Sequence, residues 1–206
     1  MIDIPPPEPA IEISLASRGY SKGLAQTEGA QVVARPELAF GPVWLGFYAK
    51  NVDSSTSEGE AGPTVGLRTS AAGFDLVASA TWKLAIEPHG STNDDALELF
   101  GSVGRRFGPV NTRLALTWSP NDLGGTEETL WGEALVAYSL RRSTTLSANI
   151  GRRERDGGPD YTAFNFGLTQ TLPRGFSADV RWYDTDRSGR GDAFEGRLVA
   201  TLRLRL

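Results

Sequence analysis

The sequence predicts an all-β fold: a transmembrane antiparallel up-and-down β-barrel of about twelve strands, with short periplasmic turns and longer extracellular loops. Three observations predict it. Apolar and polar residues alternate with a period of two over most of the chain, as in strands with two unlike faces. Tight turn signals recur roughly 32 to 35 residues apart, with longer polar stretches midway between them. Aromatic residues collect at two levels, beside the short turns and toward the long loops. A repeat of this length is also that of stacked helix pairs. The period of two rejects that reading, because helices repeat every 3.6 residues.

Taken in order, the strand signals fall near 10–20, 30–40, 43–52, 63–71, 75–86, 95–107, 109–119, 128–140, 144–153, 161–172, 176–185 and 194–206. Residues 1–9, with Pro5-Pro6-Pro7-Glu8-Pro9, read as an extended periplasmic tail, and residues 10–206 as the barrel. Pro36 falls inside the second strand, where a bulge is the simplest expectation. The third strand is ambiguous, since Trp44 and Tyr48 oppose Leu45 and Phe47. Trp131 points inward by parity, for no reason visible in the sequence. The last strand is the clearest: Phe194, Gly196, Leu198, Ala200, Leu202, Leu204 and Leu206 share one face against Glu195, Arg197, Val199, Thr201, Arg203 and Arg205.

Short turns are expected at Phe40-Gly41-Pro42, Ala72-Gly73-Phe74, Phe107-Gly108-Pro109, Arg141-Arg142-Ser143 and Pro173-Arg174-Gly175-Phe176. Long loops are expected near 22–29, 52–62, 87–95, 120–128, 154–160 and 186–192. An even strand number puts both termini at the short-turn end. Phe40, Phe74, Phe107 and Phe176 then form one girdle, and Trp82, Trp118, Trp182 and Phe194 the other. From Phe74 to Trp82 the chain climbs about 20 Å along the axis, at roughly 3.3 Å per residue and a tilt near 40°. A soluble sandwich or lipocalin-like barrel alternates too, but turns its apolar face inward.

Bulk composition agrees and excludes other classes. The 206 residues carry 21 basic and 25 acidic side chains, net −4, too balanced for a nucleic-acid surface. There is no cysteine, hence no disulfide framework or thiolate metal site. Mean hydropathy is −0.27, and no stretch approaches the roughly 18–20 apolar residues of a membrane helix. Barrel strands need none, because only alternate residues meet lipid. Met1-Ile2-Asp3-Ile4 followed by prolines reads as a mature N-terminus from which a signal peptide has been removed.

A resemblance enters through Arg18-Gly19-Tyr20-Ser21, Gln26-Thr27-Glu28-Gly29 and Tyr48-Ala49-Lys50-Asn51-Val52-Asp53. These resemble the Gcw_chp family of proteobacterial outer-membrane proteins, also labelled TorF-family porins. Family members look like Arg-Gly-x-Ser, then Gln-Thr-Asp-Gly, then Ala-Ser-Asn-Val-Asp. Here the spacing from Ser21 to Gln26 is longer, Lys50 replaces the usual Ser, and Glu28 the usual Asp. Tyr183-Asp184-Thr185-Asp186 is similar as well. The resemblance implies a Gram-negative outer-membrane location and a pore, and it brings no catalytic residues.

By parity the inward face carries Arg18, Arg68, Arg106, Arg113, Arg153, Asp179, Arg181, Glu195 and Arg197, the expected pore lining, with Glu12, Asp75, Lys83, Glu98, Glu133, Arg203 and Arg205. Guanidinium groups hold carboxylates and phosphates in bidentate fashion. The leading expectation is therefore an outer-membrane channel for passive diffusion of small anionic solutes, needing no cofactor. The alternative is a closed structural or adhesion barrel whose charges pair across the lumen and whose loops bind a surface partner. A hydrolase would need His89, the only histidine, held against a nucleophile; a lone loop histidine is more often solvated, so no catalytic residue is assigned. The acidic loops, including Asp53, Glu58, Glu60, Asp94, Asp95, Asp122, Asp184, Asp186 and Asp192, lack the spacing of a calcium loop. They are expected to meet lipopolysaccharide or water, and no metal site is assigned. The expected partners are outer-membrane lipid, lipopolysaccharide and small solutes; no nucleic acid or protein partner is assigned.

Overall fold

Among the described residues, fourteen strands form in chain order: β1 (Glu8–Ala16), β2 (Tyr20–Ser21), β3 (Leu24–Ala25), β4 (Gln31–Phe40), β5 (Val43–Asn51), β6 (Ser57–Ala71), β7 (Phe74–Pro88), β8 (Asp95–Phe107), β9 (Val110–Asp122), β10 (Glu127–Arg141), β11 (Thr144–Arg155), β12 (Tyr161–Thr171), β13 (Phe176–Thr185) and β14 (Arg197–Arg205). The computed structural model describes residues 6–53, 57–90 and 93–206. Twelve strands close into one antiparallel barrel, and β2 and β3 pair with each other apart from it. Closure joins β1 to β14, with Leu15 facing Leu202 and Glu12 facing Arg205. Residues 1–5 of the expected tail lie outside the described residues, and the first strand starts at Glu8, inside that tail.

The five short turns lie where the turn signals predict, four of them at glycines. At Ala72-Gly73 both φ angles are positive, 52° and 77°, the geometry whose twist matches that of a hairpin. All five sit at one end, with Glu8 and Arg205 beside them.

The barrel is apolar outside and polar within. Leu114, Leu116, Phe166 and Leu198 are 60, 51, 59 and 65 % exposed on the outer wall. Gln31, Glu60, Lys83, Thr117, Ser119, Asp122 and Thr129 are buried. A water-soluble barrel would expose the second set and bury the first, so this outer wall is built for lipid. Two faces left open by the sequence are now assigned. Leu45 and Phe47 point out, while Trp44, Tyr48 and Lys50 point in.

Several expectations are corrected. Pro36 makes no bulge, since Val33 faces Lys50 and Glu37 faces Gly46 in one unbroken register. The proline only lacks an N–H for the ladder. The loop expected over 52–62 is mostly strand, with β6 beginning at Ser57 and placing Glu60 opposite Lys50. The first strand ends at Ala16 and not near residue 20. The last begins at Arg197, after two short 3₁₀ turns, Ser188–Arg190 and Asp192–Phe194. Glu195 therefore lies on a loop, and Phe194 packs into the lumen and not into the outer girdle.

Candidate functional site

The 14 residues joining β1 to β4 fold down into the barrel. Lys22 and Gly23 take positive φ values of 49° and 80°, which makes β2–β3 a tight hairpin with Lys22 at its tip. Gly23 is required there. A Cβ on it would come within 2.1 Å of the Ala163 Cβ.

Three sets of contacts seat this hairpin. The first is aromatic: Tyr20 stacks on Tyr183 at 4.3 Å, and Leu24 packs against Trp131, Tyr161 and Ala163 together with Phe194. Tyr161 meets Phe194 edge to face at 5.6 Å, and such pairs add about 0.5–1.5 kcal/mol to simple burial. The Tyr161 hydroxyl donates to the Lys22 carbonyl at 2.8 Å. The second set is ionic. Lys22 pairs with Glu98 and lies 3.5 Å from Asp122. Asp122 also receives Lys83 at 2.5 Å and Arg153 at 2.7 Å. The third holds the root of the hairpin. Arg18 donates through Nε to the Thr27 carbonyl at 2.7 Å and pairs with Asp192. Lys50 donates to Gln26 at 2.7 Å and pairs with Glu60 at 3.1 Å. Hydrogen bonding from Arg18, aided by the charges of Arg18 and Arg197, holds the Asp192 carboxyl below the usual carboxylate range.

The expected pore-lining residues divide accordingly. Arg18 leaves the wall to brace the hairpin. Arg153 is half-buried and committed to the Asp122 cluster. Arg113 pairs with Glu133 at 2.6 Å, and Glu133 also accepts from Trp131 and Asn149. Arg181 is held by Asp179, Asn165 and Ser147. Arg197 pairs with Glu195 and Asp192 at the loop end. Near the turns, Arg68 pairs with Glu37 at 2.6 Å and lies over the Trp44 ring. Arg106 there bonds only the Gly108 carbonyl, with no carboxylate partner among the described residues. Asp122 and Glu60, expected in outer loops, are inside instead. His89 stands at the loop end, 3.6 Å from Glu58.

The hairpin leans on the wall of β10–β13 and is flanked by two unequal spaces, apart from a third at the turn end beside Glu12, Ser177, Arg203 and Arg205. One, of about 350 Å³, borders β4–β8 and includes Trp44, Tyr48, Lys50, Thr64, Ser79 and Lys83. The other, of about 160 Å³, lies between Tyr20, Lys22 and Gly23 and the wall at Trp131, Asn149, Asn165 and Tyr183.

A family model described as a bacterial protein of unknown function, Gcw_chp, matches residues 10–198. The chain belongs to the Gcw_chp family. No curated protein matches it in sequence. Solved structures match in fold. The KdgM porin is 9 % identical with a TM-score of 0.65, over 95 % of this chain and 97 % of that one. The NanC porin is 9 % identical with a TM-score of 0.60, over 95 % and 97 %. An outer membrane channel from Pseudomonas putida F1 is 11 % identical with a TM-score of 0.53, over 100 % and 96 %. KdgM also matches as the porin in complex with disordered oligogalacturonate, at 8 % identity and a TM-score of 0.62 over 95 % and 96 %.

The Gcw_chp-like motifs turn out to be the parts of the hairpin and its seat. Arg18, Gly19, Tyr20 and Ser21 start it, Gln26 to Gly29 end it, Asp53 accepts from the Glu28 N–H at 3.3 Å, and Tyr183 is the stacking partner. That coincidence was the one available signal for an inward-folded segment. Lys22, Lys50, Glu60 and Asp122 were missed because parity rules apply to strands and not to loop tips or strand ends.

Proposed function

We propose that this Gcw_chp barrel is an outer-membrane channel for passive diffusion of small anionic solutes. The observation that carries the reading is the charge-lined space of about 350 Å³ left beside the hairpin inside a lipid-facing barrel. Rings of charged side chains replace part of a solute's hydration and select its sign. Arg106 and Arg205, without carboxylate partners among the described residues, would attract anions at the turn end; Arg68, Arg113, Arg153 and Arg181, each paired with a carboxylate such as Asp179, would add to the field of the lumen, and Arg18, Arg197 and Glu195 to that of its loop end. The similarly built KdgM porin has been solved in complex with disordered oligogalacturonate, a polymer bearing carboxylates, which supports an anionic cargo. Outer-membrane lipid would contact the apolar wall, and lipopolysaccharide the acidic loops.

A second reading is favoured by the pairing itself. With Arg113, Arg153 and Arg181 all committed to carboxylates, the lumen could serve only to hold a closed structural or adhesion barrel. Single-channel recording of the refolded protein under a salt gradient separates the two. Discrete steps with an anion-favouring reversal potential are expected, and Arg106→Ala should weaken that preference. A silent bilayer, with circular dichroism confirming the β-barrel, would leave the closed reading.

A further inference from the structure

Resting on the channel reading, we infer that solute passes on one side of the hairpin only, along the wall of β4–β8, and that Arg113 and Arg181 stand outside its path. The two spaces differ more than twofold in volume, about 350 against about 160 Å³. The larger one is also long. Its lining runs from Trp44, beside a short turn, to Lys50 near the loops, about 15 Å along the axis at roughly 3.3 Å per residue and a tilt near 40°. The smaller one is narrowed by packing, with Tyr20 stacked on Tyr183 and Gly23 lying against Ala163. Arg113 and Arg181 line neither space.

The lining of the long side has its own chemistry. Trp44 lies flat over Gly46 and Gly66, where any Cβ would collide with its ring, and its Nε1–H has no partner among the described residues. Hydroxyls of Thr64, Ser79 and Thr81 follow, set among three cations, Arg35, Lys50 and Lys83, and three carboxylates, Glu37, Glu60 and Glu98. Hydroxyls between balanced charges suit a small hydroxyl-rich solute, which exchanges water hydrogen bonds for these one at a time.

The absence of cysteine permits a clean test. Single variants Thr64→Cys and Ser79→Cys report on the long side, and Asn149→Cys and Asn165→Cys on the short one. Each is refolded, checked for barrel circular dichroism, and recorded before and after an anionic methanethiosulfonate reagent. Conductance is expected to fall about twofold or more in both long-side variants and to stay unchanged in the other two. Equal losses on both sides, or losses confined to Asn149→Cys and Asn165→Cys, would overturn the one-sided path while the channel reading stands. No effect at Thr64→Cys and Ser79→Cys in a conducting barrel does the same. A wild-type protein that never conducts would instead overturn the channel reading, and the path with it.

Discussion

Asp122 shows what a single residue does in this lumen. Its carboxylate is 4 % exposed and meets Lys83, Arg153 and Lys22. Burying a charge is tolerable only when it is paired and hydrogen-bonded. Removing this carboxylate leaves Arg153 without its partner and Lys22 and Lys83 with Glu98 alone between them. Asp122→Ala is therefore expected to cost about 3–5 kcal/mol, read as a lower urea midpoint for the lipid-inserted barrel. The exposed Asp94 should tolerate the same change to within about 0.5 kcal/mol. The sequence gives no means of telling these two aspartates apart, because both follow polar stretches at strand ends. Trp131 is a related case. Parity shows it inward, but its reason lies in Leu24, Tyr161 and Phe194, far away in the chain.

At the scale of elements, the β2–β3 hairpin is the feature that local patterning conceals. Each of its strands has two residues, too few to show a period. It is stable because the barrel supplies partners, and it should therefore be separable from the barrel. Gly23→Val cannot fit against Ala163 or adopt φ 80° without strain. Its expected result is a barrel with unchanged circular dichroism in which trypsin cuts after Lys22, a site protected in the wild type. Retained protection would show that the hairpin is not seated by this contact. The root of the hairpin should respond to pH. Because the folded state lowers the Asp192 carboxyl below the ordinary aspartate range, the contribution of its ion pairs with Arg18 and Arg197 is present above that range and fades as the pH falls below it. Protection factors of the 17–30 amides, which divide out the intrinsic pH dependence of exchange, should fall below pH about 4 and be constant from there to neutrality. Protection factors constant through pH about 4 would mean that Asp192 does not anchor the loop.

For the molecule as a whole, the decisive property is the inverted distribution of polarity. An apolar band faces outward and a mostly paired set of charges faces inward, so lipid and not a core provides the apolar environment. Leu116, 51 % exposed, lies between the girdles on β9. Leu116→Arg is expected to cost about 2–4 kcal/mol in a bilayer, measured by equilibrium unfolding from phospholipid vesicles. A neutral effect would place this wall against water. The same inversion explains why composition alone reads as soluble: with a mean hydropathy of −0.27, half of every strand is written for the lumen.

Strand number, turn positions, the antiparallel order and the sorting of faces are legible along the chain, because a period of two and a tight turn are local properties. Strands near 75–86, 109–119 and 176–185 are found almost where they lie, at Phe74–Pro88, Val110–Asp122 and Phe176–Thr185. The family resemblance pointed to residues 18–29 without saying what they build. Only the closed barrel decides that those residues enter the lumen, that Phe194 turns inward after them, and that Glu60 and Asp122 join buried pairs. Each of these depends on which side chains meet across the lumen from strands remote in sequence, and the free energy that selects them exists only once the ring of strands has closed.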